Sequence, residues 1–117
     1  MSRDYRLFLE DMQTSSEKIV RYTRGLNKEE FLKDEKTYDA VVHNLTVIGE
    51  AVKHIPDKVR ENYVQLAWRE IAGFRDIAIH EYFGIDEEIL WDIIQNEVPS
   101  LLAKINGIIA QEEPEEG

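Results

Sequence analysis

The sequence predicts an all-α protein, an antiparallel bundle of four to five helices. Three observations carry that expectation. Apolar residues recur every three or four positions through several long segments. No segment alternates apolar and polar residues between hairpin turns. The breaks between segments hold helix punctuation: Asn27 with Glu30 three residues on, Pro56, Gly84 and Asp86.

Each element follows from its own residues. Ser2 is in place to cap a first helix running to about Arg24, with Tyr5, Phe8, Met12, Ile19 and Tyr22 on its apolar side. Asn27 and Glu30 have the spacing of a capping box, opening a short turn that holds Phe31 and Leu32. A second long helix is expected from about Glu35 to Ile55. Its stripe is Tyr38, Val41, Leu45, Ile48, Val52 and Ile55, and Pro56 ends it. Gly49 interrupts this helix at a cost of up to about 1 kcal/mol relative to Ala; its expected task is to let another helix come close. Glu50 beside it suits a cap, a salt bridge or a polar interface equally. Residues 57 to 63 read as a short helix or turn. Trp68, Ile71 and Phe74 lead into a further helix that Gly84 can stop. Asp86 caps the last helix, which Pro99 kinks or restarts. One domain over residues 1–110 and a disordered acidic tail over 111–117 are expected.

Composition narrows the function. The chain has 117 residues, 43% of them hydrophobic and 32% charged, enough apolar material for one packed core. Without cysteine, disulfide and thiolate chemistry are excluded. The charged start does not resemble a signal peptide, and no apolar run approaches the roughly 20 residues of a membrane span, so a soluble cytoplasmic protein is expected. Net charge is −10. That argues against a broad nucleic-acid groove, since such binding neutralises phosphates. The charge is uneven: residues 53–80 hold 5 basic and 4 acidic side chains, whereas residues 81–117 hold 1 and 10. A mildly basic site on an acidic body is compatible with this pattern.

The stretch GFRDIAIHEYFG, residues 73 to 84, concentrates the chemistry. On a helix Asp76 and His80 are i, i+4 neighbours, while Arg75 and Tyr82 share another stripe. Arg75 and His80, five residues apart, diverge by about 140°. The Arg side chain wraps, or the helix starts near Arg75, or a second copy completes the site. Such residues suit RNA cleavage without metal or cofactor. Histidine moves protons near neutral pH, arginine grips phosphate through a planar fork, and Asp76 can orient the imidazole. An exposed Asp–His pair alone is an ordinary surface feature worth a few tenths of a kcal/mol. His43 and His54 call for no special role, and Trp68 and Trp91 suit core or interface positions.

Arg75-x4-His80-x-Tyr82, together with VIGEAVKHIP (47–56), WREIAGFRDIAIHEYFGID (68–86), LWDII (90–94) and VPSLL (98–102), resembles the HEPN superfamily, and more closely its HepT-like toxin group. The resemblance spans most of the chain. It implies a HEPN bundle that forms a homodimer and acts as a metal-independent endoribonuclease. Arg75 and His80 match the catalytic pair, and Asp76 the usual polar residue after the arginine. The two motifs of the dimer would line one cleft. It further implies a minimal nucleotidyltransferase antitoxin as partner, which transfers AMP to Tyr82 and silences the toxin. A non-catalytic HEPN module that binds nucleotide, or serves as adaptor for the nucleotidyltransferase, uses the same residues.

Overall fold

Asp4 starts the first helix, α1 (Tyr5–Thr23), its carboxylate accepting from the Arg6 backbone N–H at 2.9 Å. The computed structural model describes residues 3–80 and 86–112, His80 by its backbone alone. The expected cap Ser2 lies outside them, and Asp4 fills the role. The buried line of α1 is Leu9, Met12, Ser16, Ile19 and Thr23. Tyr5 and Phe8 only pack against its edge, and Tyr22, expected on the apolar side, is exposed. Gly25, at φ +80°, makes the left-handed turn that follows the helix and that a glycine accepts without strain.

The capping box forms as expected. Asn27 accepts from the Glu30 N–H at 2.8 Å while Glu30 accepts from the Asn27 N–H at 3.0 Å, opening α2 (Lys28–Lys33). Asp34 then caps α3 (Glu35–Val52). This helix ends three residues earlier than its stripe implies. A residue before proline is disfavoured in the helical region, so Ile55 cannot continue the helix into Pro56. The chain tightens instead. The N–H groups of Lys53, His54 and Ile55 each donate three residues back, to Glu50, Ala51 and Val52. Ile55 stays fully buried, and Pro56 opens α4 (Asp57–Asn62).

Helix α5 (Trp68–Ala72) runs through Gly73 into α6 (Phe74–His80); Gly73 is itself helical, and Ile77 donates to its carbonyl at 3.0 Å. Asp86 caps α7 (Glu87–Asp92), as expected. A π-turn over Ile93–Glu97 then leads into α8 (Val98–Glu112). Pro99 explains the π-turn. It has no N–H to offer the carbonyl of Gln95, and its ring crowds that carbonyl. The backbone widens, and the Val98 N–H reaches five residues back to Ile93.

Four arms result: α1, α3, α5–α6, and α7–π-turn–α8, with α2 and α4 as short links. Helix α3 is the hub, packed against α1, α2, α5 and α6, while α1 also packs on α8. The core joins Leu9, Ile19, Leu45, Ile48, Phe74 and Ile105 with their neighbours. No strand occurs among the described residues, and none of their helices is long and apolar enough to cross a membrane. The last helix runs two residues into the segment expected to be tail. Glu112 accepts from the Tyr5 hydroxyl at 2.6 Å and from the Tyr63 hydroxyl at 2.8 Å, tying α8 to α1 and to the end of α4. Residues 113–117 lie outside the described residues.

Candidate active site

The site is built where α6 crosses α3, and Gly49 sets the distance. A Cβ on Gly49 would stand 2.7 Å from both Cβ and N of Arg75, and 3.0 Å from the Ala72 carbonyl oxygen. These are backbone and near-backbone atoms that cannot swing aside. Hydrogen in place of a side chain therefore lets the two helices touch at the motif arginine, as the mid-helix position of this glycine predicts.

The side chain after the crossing point is Glu50. Its carboxylate forms an ion pair with Arg75 Nε, and its Oε1 also lies 3.5 Å from Lys53 Nζ. Of the three roles open to Glu50 in the sequence, the fold selects the salt bridge. Asp76 lies nearer a terminal nitrogen, with Oδ1 3.8 Å from Arg75 Nη1, and is well exposed. The Arg75 and Glu50 side chains retain 37% and 43% exposure. An ion pair this open contributes about 0–1 kcal/mol to stability, so its principal effect is to give a long, flexible side chain one direction.

Helix α6 already includes Arg75 in its first turn, so a helix start near Arg75 does not remove the 140° divergence from His80. The arginine is drawn toward α3 instead. His80 occupies the last position of α6, about 7.5 Å along the axis from Arg75 at 1.5 Å per residue. Its side chain, Tyr82 and the expected stop at Gly84 lie outside the described residues. His54 stacks on Phe8 with ring centroids 4.3 Å apart. The Trp68 indole donates to the Tyr63 carbonyl at 2.9 Å, and Trp91 packs against Phe31. These are structural positions, as read from the sequence.

The other flank of α6 faces α7 and the π-turn across an open cleft of about 420 Å³. Phe74, Ile77 and Ile93 line its floor; Glu70, Glu88, Asp92 and Glu97 line its sides. Burial, reinforced by Asp92 and then Glu70, pushes the Glu97 carboxyl above its ordinary range. Among the described residues no group of three His, Asp or Glu side chains is placed to hold a metal ion.

The described residues form an all-helical bundle that carries its motif arginine where two helices cross at a glycine. Residues 12–108 match the model of the family described as "Ribonuclease HepT-like", and the chain belongs to that family. A candidate RNase of Methanocaldococcus jannaschii is 44% identical over 97% of this chain and 94% of its own length. A protein named as a probable ribonuclease HepT in Thermococcus cleftensis is 41% identical over 89% of this chain and 94% of its own. A further candidate RNase, from Caldanaerobacter subterraneus subsp. tengcongensis, is 39% identical over 92% and 96%. No solved structure matches the chain.

Proposed function

We propose that this protein is a metal-independent endoribonuclease, the toxin of a pair whose antitoxin is a minimal nucleotidyltransferase. The observation that carries the reading is Arg75, half exposed, directed by Glu50, and standing at the opposite end of one short helix from His80. Membership of the HepT-like family and the ribonuclease names of its relatives support it.

In this reading the His80 imidazole takes the proton of a ribose 2′-OH. The 2′-oxygen bonds to the adjacent phosphorus as the bond from phosphorus to the 5′-oxygen breaks. An imidazolium, that of the second motif in a homodimer, returns a proton to the leaving oxygen. Arg75 carries the charge that builds on the phosphate, and Asp76 orients His80. The products are a 2′,3′-cyclic phosphate and a 5′-hydroxyl. Two motifs in one cleft supply the second imidazole and bring the diverging Arg75 and His80 directions together. Ile79 and Ile89, exposed on α6 and α7, offer apolar surface near the motif for that pairing. The domain is taken as residues 1–110 extended to the end of α8.

Tyr82 is the control point: AMP transfer from the nucleotidyltransferase places a phosphodiester beside Arg75 and competes for its fork. The deciding experiment is cleavage of single-stranded RNA in EDTA. Wild type cuts, and His80→Ala loses about 10²–10⁴-fold. Strict dependence on magnesium, or full activity without His80, refutes the mechanism. Incubation with the nucleotidyltransferase and ATP, followed by peptide mapping, checks Tyr82. AMP on another residue only, or modified protein that cuts at full rate, refutes the control.

A further inference from the structure

We infer that Glu50 is a positioning residue for Arg75: it holds the guanidinium by Nε so that the terminal nitrogens are presented to the scissile phosphate. The inference rests on the ribonuclease reading for its functional half. It rests on geometry for the rest.

Arginine has a long side chain with several rotatable bonds, and an unanchored guanidinium spreads over many positions. Stabilising a charge that exists only in the transition state needs a donor already in place, because a displacement of about 1 Å costs on the order of 10²-fold. Glu50 supplies the anchor at one atom. Of the five N–H groups of the guanidinium, Nε carries one and the terminal nitrogens carry four. An acceptor on Nε fixes the direction of the fork, and because Asp76 Oδ1 stands 3.8 Å from Nη1, beyond hydrogen-bond distance, the terminal nitrogens keep their N–H groups for an anion.

The anchor is possible because of its neighbour. Gly49 lets α6 come into van der Waals contact at Arg75, so the next residue on α3 is within reach of the arginine head. Neither residue does this alone. Glu50 also touches Lys53, so one carboxylate stands between two cations and neutralises part of the local positive charge. That has a cost for ground-state binding: a carboxylate beside the phosphate site repels RNA. Anchoring and repulsion are therefore separable by substitution.

Glu50→Gln keeps an oxygen acceptor for Nε–H and removes the charge. Glu50→Ala removes both. With folding checked by thermal melting, Glu50→Ala is expected to lose about 10–100-fold in kcat, while its KM falls as in Glu50→Gln because both variants remove the repelling charge. Glu50→Gln is expected to hold kcat within about fivefold while KM falls, as repulsion of the phosphate is relieved. A kcat for Glu50→Ala equal to wild type overturns the inference. So does a folded Glu50→Gln protein as slow as Glu50→Ala. The second measurement does not depend on activity: the 15N–1H resonance of Arg75 Nε, assigned by its loss in Arg75→Lys. It should exchange slowly with water in wild type and in Glu50→Gln, and fast in Glu50→Ala. Equal exchange in all three overturns the anchor. If wild-type protein cuts no RNA, the ribonuclease reading fails, and the exchange measurement still decides whether Glu50 holds Arg75.

Discussion

The two flanks of α6 differ in almost every physical respect. Toward α3 the helices touch, two cations meet one carboxylate, and the arginine is anchored. Toward α7 the helices stand apart over a cleft, and its charged lining is Glu70, Glu88, Asp92 and Glu97. A net charge of −10 is thus not spread evenly around the motif. One flank of the helix carries a cation paired with Glu50 and lying near Asp76, and the charged lining of the other is carboxylates alone. The general lesson is that total charge says little about a site whose charges are sorted within a single helix diameter.

The strongest way to break this contrast is to remove the cation. Arg75→Ala should lower kcat by about 10²–10³-fold, the size expected when a donor to a developing anion is lost. The double change Glu70→Gln, Asp92→Asn on the other flank should leave kcat within about threefold. Cleavage assays on the two proteins side by side check this, and equal losses would erase the distinction. Next in size is Gly49→Ala. The added methyl meets backbone, so α6 must move. Overpacking of this kind costs about 1–3 kcal/mol and should cost activity on the order of 10²-fold through the displaced Arg75. Urea denaturation and single-turnover cleavage report the two effects separately.

Much of this was legible in the sequence, for identifiable reasons. Capping at Asn27 and Asp86 depends on local hydrogen bonds, and those form as read. Gly49 announced a close approach because a glycine in mid-helix is unfavourable without one. The partner of Glu50 was not legible. An ion pair between residues 25 apart depends on where two helices cross, and no local spacing encodes it, although the Gly-Glu dipeptide marks where to look. Glu112 was missed for a related reason. Its acidic, proline-containing surroundings read as tail, but its oxygens are held by two tyrosines far away in sequence.

That tie gives the next prediction. Burial, reinforced by its hydrogen bond to Glu112, raises the pKa of the Tyr63 hydroxyl to about 12, and a separate hydrogen bond to the other Glu112 oxygen raises that of Tyr5. A phenol whose folded pKa lies above its unfolded value of about 10 stabilises fully below that value and loses its contribution as pH rises through the folded one. Stability should therefore fall between about pH 10 and 12. Glu112→Ala should cost about 1–3 kcal/mol at neutral pH and flatten that fall, as seen by thermal melts across the range. The smallest effect belongs to the acid cleft. Glu97 has a raised pKa, so the folded state favours its protonated form, and its charged form weakens the fold as pH rises. Glu97→Gln should raise the melting temperature slightly at pH 7, with the gain fading toward pH 4. A gain that grows on acidification would mean the carboxylate is stabilising.

Two pairs of residues in this chain are separated by the same number of positions, and the backbone sends them to opposite fates. Arg75 and His80 are five apart in a regular α-helix, where five steps leave them facing different ways. Asp92 and Glu97 are also five apart, but the π-turn lies between them, its wider winding reduces their divergence, and both line the cleft that faces α6. Their repulsion follows from that phase slip as much as from their charges. A proline at position 99 thereby reaches beyond its own peptide bond. By widening one turn it aligns two acids on the wall opposite the motif helix. A one-residue deletion within Ile93–Glu97 would remove the residue that the wide turn absorbs, keep the apolar seam of α8 in phase, and set the proline ring against a regular α-helical turn.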